Sequence, residues 1–77
     1  MDVCYNKLFK LLIDMEIKKT ELRKITGISP NTLTKLSKNE FVSMEVLVKI
    51  CRILNCDVGD IVQVIQSPDN RIANVIE

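Results

Sequence analysis

The stretch KKTELRKITGISPNTLTKLSKN, residues 18–39, contains two short helical patterns separated by an abrupt break. The first pattern, Lys18 to Thr26, sets Leu22 and Ile25 inward and leaves Glu21, Arg23 and Lys24 outward. Its start is weakly marked, with Thr20 as the available cap. Its end is clear: Gly27 can take the left-handed conformation that stops a helix without a Cβ penalty, and Ile28 offers an apolar contact just beyond. Ser29-Pro30 then opens a second helix, because Ser accepts a hydrogen bond from an orphan N–H and Pro at the first helical position needs no donor. That helix is expected over Pro30 to Ser37, with Leu33 and Leu36 as its core face and Asn31, Thr34, Lys35 and Lys38 left to solvent or to a groove. Two helices joined this tightly must cross steeply.

On the N-terminal side, YNKLFKLLIDM (Tyr5 to Met15) repeats Tyr5, Leu8, Leu12 and Met15 at steps of three or four, which predicts an amphipathic helix widened by Phe9 and Leu11. On the C-terminal side, Asn39-Glu40 breaks the pattern and Phe41-Val42 is expected to plug one end of the core. Ser43 reads as the cap of a further helix, with Glu45 in its first turn and Val46, Leu47, Ile50, Cys51 and Leu54 as its stripe. Val58 to Val62 is expected to add one short final turn. The domain so outlined spans residues 1–62. Residues 63–77, interrupted by Ser67-Pro68-Asp69-Asn70, form a tail with two readings: a short strand that pairs with a second copy, or a loosely held arm.

The 77 residues suffice for one small core, which buries only about 60% of the surface exposed by the unfolded chain. Two Phe, one Tyr and no Trp provide little stacking surface for unpaired bases. Neither a membrane span nor a secretory leader is visible, so a cytosolic location is expected. Cys4, Cys51 and Cys56, odd in number and irregularly spaced, fit reduced thiols packed as small hydrophobes better than a disulfide framework or a zinc site. His is absent, which removes the usual neutral-pH general base, and Asp57 with Asp60 has no cleft dictated around it, so catalysis is not expected. The net charge is only +1, but its distribution is uneven. Between Lys18 and Lys38 the six cations Lys18, Lys19, Arg23, Lys24, Lys35 and Lys38 face one acid, Glu21. One face can therefore meet a polyanion while the rest of the molecule is repelled by it.

Residues 5 to 61 resemble the lambda-repressor and Cro type of helix-turn-helix domain, the xenobiotic-response-element family, and especially its very small stand-alone members. KKTELRKITGISPNTLTKLSKN carries the resemblance, and SMEVLVKICRILNCDVGDI is similar to the family's fourth helix and short fifth. The resemblance implies an all-α fold, a compact four- to five-helix lambda-repressor-like domain, to which the tail adds either a short C-terminal strand or a flexible arm. It implies base reading by Pro30, Asn31, Thr34 and Lys35, and phosphate contacts by Lys18, Lys19, Arg23, Thr32 and Lys38. In three places the chain departs from the family pattern: Arg23 replaces a small residue, Pro30 removes the side-chain hydrogen bonds of a Gln, and Ser37 stands where Glu is frequent.

The implied function is a transcriptional regulator that binds double-stranded DNA sequence-specifically. Repression of an inverted-repeat operator is the economical form, with the chain acting as a homodimer. The interface is expected on the fourth and fifth helices or on Val62 to Gln66. No cofactor, metal, membrane or small-molecule effector is evident. The competing class is a protein-interaction or antitoxin-like module with weak or partner-dependent DNA binding, which an apolar surface around Phe41, Val62 and Val64 would favour.

Overall fold

The computed structural model describes residues 2–66. In chain order these form strand β1 (Val3–Cys4), helices α1 (Asn6–Asp14), α2 (Lys19–Thr26), α3 (Pro30–Ser37) and α4 (Met44–Leu54), one 3-10 turn at Val58–Asp60, and strand β2 (Gln63–Val64). The helical body matches the all-α expectation, and a C-terminal strand is present as well. Its partner is the chain's own N-terminus: β1 and β2 pair antiparallel, with Val3 opposite Val64 and Cys4 opposite Gln63. The N-terminal strand was not foreseen, because two residues are too few to show alternation. Residues 67–77 of the expected tail lie outside the described residues.

All four helices stop in the same way. Glu16, Gly27, Asn39 and Asn55 each have positive φ, between 55° and 74°. At Glu16 the reversal is closed by Ile17 N–H donating to Leu12 O and Glu16 N–H donating to Ile13 O. Asn39 repeats this pattern, with Glu40 N–H on Lys35 O and Asn39 N–H on Leu36 O, so orphan carbonyls at both helix ends are satisfied. Gly27 uses the simpler form, a single bond from its N–H to Arg23 O. Ser43 caps α4 as its sequence implied, its Oγ accepting from Val46 N–H at 3.2 Å.

The core is built from Tyr5, Leu8 and Leu12 of the N-terminal segment, Leu22, Ile28 and Leu36 of the central pair, and Leu47, Ile50, Cys51, Leu54 and Ile61. Helix α2 packs on both α3 and α4. Tyr5 is only 2% exposed. Its hydroxyl donates to Glu40 O at 2.8 Å and its backbone N–H donates to Asn39 Oδ1 at 3.0 Å, which ties the start of α1 to the end of α3. Burial pushes the Tyr5 phenol above its ordinary pKa, against a smaller opposing effect from the Val42 backbone. Cys4, Cys51 and Cys56 are free thiols. Burial, with neighbouring Cys51 next in importance, pushes Cys56 up to about 11, so it stays protonated at neutral pH.

Several inward assignments need correction. Lys18 is the N-cap of α2, and the Glu21 carboxylate accepts from its backbone N–H at 3.0 Å; Thr20 lies inside the first turn. Ile25 is 49% exposed. The inner stripe of α2 runs through Leu22 and Thr26, four apart, with Thr26 half-buried and its hydroxyl donating to Leu22 O. The same four-residue step in α3 joins half-buried Thr32 to buried Leu36 and leaves Leu33 only half-buried. Met15 is exposed, because α1 has already ended. Phe41 is 66% exposed; Val42 alone packs against the core at that end.

The αL positions yield a stability test. No heavy atom lies within 4 Å of an ideal Cβ at Gly27, so Gly27→Ala meets no clash and costs only the backbone penalty, about 1–2 kcal/mol. Glu16 already carries that penalty at φ 58°, so Glu16→Gly is expected to be neutral to stabilising. Urea denaturation of the two variants checks the opposite signs; a neutral Gly27→Ala would show that this turn can relax.

Candidate nucleic-acid interface

Only Gly27, Ile28 and Ser29 separate α2 from α3. Gly27 turns the chain, Ile28 is buried and pins the connection to the core, and Ser29 is extended, with its Oγ accepting from Thr32 N–H at 3.1 Å. Each residue of the turn therefore has one local duty. Together they fix where α3 starts relative to α2.

On α3, Pro30, Asn31, Thr34 and Lys35 are all exposed. Asn31 and Lys35 are four apart and so share a face. Among the described residues, no hydrogen bond or ion pair holds either side chain. Thr34 is partly committed, since its hydroxyl donates to Pro30 O at 3.0 Å and keeps only acceptor capacity. Pro30 has no side-chain donor and contributes an apolar surface. Half-buried Thr32 lies within 3.0 Å of Ser29 Oγ through its own Oγ1, so its role in the structure is to close the cap.

Of the residues assigned to phosphate contacts, Lys18, Lys19 and Lys38 are exposed, while Arg23 is half-buried on α2. Lys18 and Lys19 begin α2, and Lys38 follows the last turn of α3. The described ion pair, Lys49 with Glu45 at 3.8 Å, lies on α4. No cation between Lys18 and Lys38 is paired with an acid among the described residues, so no ion pair there cancels the local positive field.

One supporting contact had no signal in the sequence. The Lys19 ammonium sits 4.4 Å from the centroid of the Phe9 ring, a cation–π contact between α2 and α1. Ten residues of separation and an intervening reversal hide it from any periodicity argument. The Tyr5 clamp on Asn39 and Glu40 was equally invisible, although a buried Tyr generally needs a partner for its hydroxyl.

Residues 7–67 match the family described as the Cro/C1-type HTH DNA-binding domain. The chain belongs to that family. A solved structure, that of the transcriptional regulator VanUg in its crystal form II, is similar with a TM-score of 0.83 and 55% sequence identity, over 86% of this chain and 88% of the other. None of the curated proteins matches the chain. In this Cro/C1-type domain, α2 and α3 are the two helices of the helix-turn-helix. No helix among the described residues is long and apolar enough to cross a membrane.

The Ser29 cap holds the first turn of α3 through its side chain. Ser29→Ala is expected to cost about 1 kcal/mol and to fray the first turn of α3, where Pro30 and Asn31 lie. Amide hydrogen exchange at Thr32, whose N–H is held by the lost Oγ, reports it directly; unchanged protection would show that another acceptor holds this turn.

Proposed function

We propose that this domain acts as a sequence-specific transcriptional regulator of double-stranded DNA, a repressor that binds an inverted repeat as a homodimer with α3 in the major groove. The observation that carries this reading is the exposed, uncommitted pair Asn31 and Lys35 on one face of a helix fixed by a three-residue turn. In a groove, the Asn31 amide offers a paired donor and acceptor to adenine, and Lys35 offers donors to guanine O6 and N7. Pro30 and Thr34 flank them as an apolar contact and an acceptor. Lys18, Lys19, Arg23, Thr32 and Lys38 are assigned to the phosphate backbone, with Lys19 steadied by Phe9. Such contacts fix register without reading sequence.

A second copy follows from the small size of this surface. One short helix reads few base pairs, and a handful of cations gives limited affinity at physiological salt. Two α3 helices set roughly 34 Å apart by two-fold symmetry would read both halves of an inverted repeat. The segment Val62 to Gln66 is the proposed contact between copies. It carries no charge, Val64 is 64% exposed, and β2 has one strand partner among the described residues, β1. An uncharged strand edge of this kind invites further pairing. Exposed Phe41 also suits a protein contact, which keeps the protein-interaction module as the second reading.

Selection from a randomised duplex pool at about 0.15 M salt, with stoichiometry measured in parallel, tests the proposal. Recovery of a short inverted repeat by two copies is expected; salt-sensitive, sequence-blind association would instead favour the protein-interaction reading. Two variants then separate the roles. Asn31→Ala should lose about 1–3 kcal/mol of discrimination at one base position while the fold is kept. Lys19→Ala should weaken all duplexes alike and reduce the slope of log affinity against log salt by about 0.9. A Lys19→Ala slope equal to that of the parent would contradict the phosphate assignment.

A further inference from the structure

We propose that the cleft between α1 and the start of α2 binds a small soluble amphiphilic carboxylate, and that its occupation opposes DNA binding; the second part rests on the function proposed above. The cleft is open to solvent, has a volume of about 520 Å³ and is lined by Phe9, Leu12, Ile13, Ile17, Lys18 and Lys19, together with one threonine. That volume lies within the range of roughly 300–1,000 Å³ typical of small-molecule sites. Seven lining residues are far fewer than the roughly 20–30 per side that a stable protein partner covers.

The distribution of groups within the cleft defines the ligand. Leu12 is buried and Ile17 half-buried, so the floor is the outer surface of the core. Ile13 forms a wall and is 75% exposed, a large apolar side chain the core does not use. Lys18 and Lys19 also line it, and the lining holds no acidic residue, the nearby Glu21 carboxylate being turned to the Lys18 backbone N–H. Lys19 lies over the Phe9 ring at 4.4 Å, which biases its charge toward the cleft. An apolar chain on Leu12, Ile13 and Ile17 with an anionic head at Lys18 and Lys19 satisfies both parts of the site. A neutral apolar ligand would leave the cations unused, and a small hydrophilic anion would leave the apolar walls wet.

The consequence for regulation follows from shared residues. Lys18 and Lys19 are also assigned to the DNA backbone, and one ammonium pair cannot neutralise a carboxylate and phosphates equally well. Ligand binding is therefore coupled negatively to duplex binding, and by linkage duplex binding weakens the ligand by the same factor.

Decanoate, decanol and acetate titrated into the isotope-labelled full chain, below micelle-forming concentrations, test the site by backbone amide shifts. Decanoate should give saturable shifts confined to α1 and the start of α2, with decanol and acetate at least about tenfold weaker, a difference of about 1.4 kcal/mol. Ile13→Asp places a charge on an exposed wall and should keep the native spectrum while weakening decanoate about tenfold or more. Decanoate at a concentration that just saturates the parent should raise the duplex Kd of the parent several-fold and that of Ile13→Asp clearly less. Absent or molecule-wide shifts, equal binding of decanol, or undiminished binding by Ile13→Asp would overturn the site. Failure of the unliganded protein to bind any duplex would overturn the DNA reading alone, because the shift titration contains no DNA.

Discussion

The burial of Ile28 is the constraint on which the arrangement of α2 and α3 depends. A residue between two helices normally faces water, yet Ile28 lies in the core cluster with Leu22 and Leu36. Once it is anchored, neither helix can slide or rotate far, because the residues on either side are also committed. Gly27 must supply the left-handed turn and Ser29 must stay extended to cap α3. Exposed Pro30, Asn31 and Lys35 then inherit their position from the core. A backbone surface held in this way loses less conformational entropy in any contact it makes.

A second anchor acts at the other end of α3. Asn39 reverses the chain with positive φ, and its Oδ1 holds the N–H of Tyr5, while the Tyr5 hydroxyl holds Glu40 O. Tyr5 joins β1 to α1, and β1 pairs with β2. The end of α3 is thus linked through one buried side chain to the small sheet that carries Val64. If two copies meet along that sheet, the spacing of their α3 helices is set through Tyr5 rather than through a flexible linker.

Helix identity was legible where a stop or start had its own residue type: Gly27, Ser29-Pro30, Asn39, Ser43 and Asn55 all perform the backbone duties their chemistry suggests, whereas Glu16 and Lys18, at the end of α1 and the start of α2, carried no such mark. Side-chain facing was less legible on the short helices. Eight residues contain barely two turns, so Ile25 and Thr26 competed for one inner position and the polar residue won, because its hydroxyl could bond back to Leu22 O. Phe41 was misplaced for a related reason: Val42, next to it, fills the available space. The exposed face of α3 followed from what remained after Leu36 was assigned inward. The long-range contacts of Tyr5 and Lys19 did not, since no local pattern encodes a partner 34 or ten residues away.

The charge pattern and the packing solve the same problem together. A small domain has little apolar area to spend on holding its shape, and concentrated like charge works against compactness. Here six of the eleven cations lie on the short helices α2 and α3 and at their ends, whereas the larger apolar faces belong to α1 and α4. Repulsion therefore falls on elements whose inner residues, Leu22, Ile28 and Leu36, are fully engaged with the rest of the core. Placing Lys19 against the Phe9 ring recovers some of its electrostatic cost without supplying an acid that would cancel the outward field. An acid in that position would stabilise the isolated domain and weaken any polyanion contact, so an aromatic partner is the choice consistent with both folding and binding.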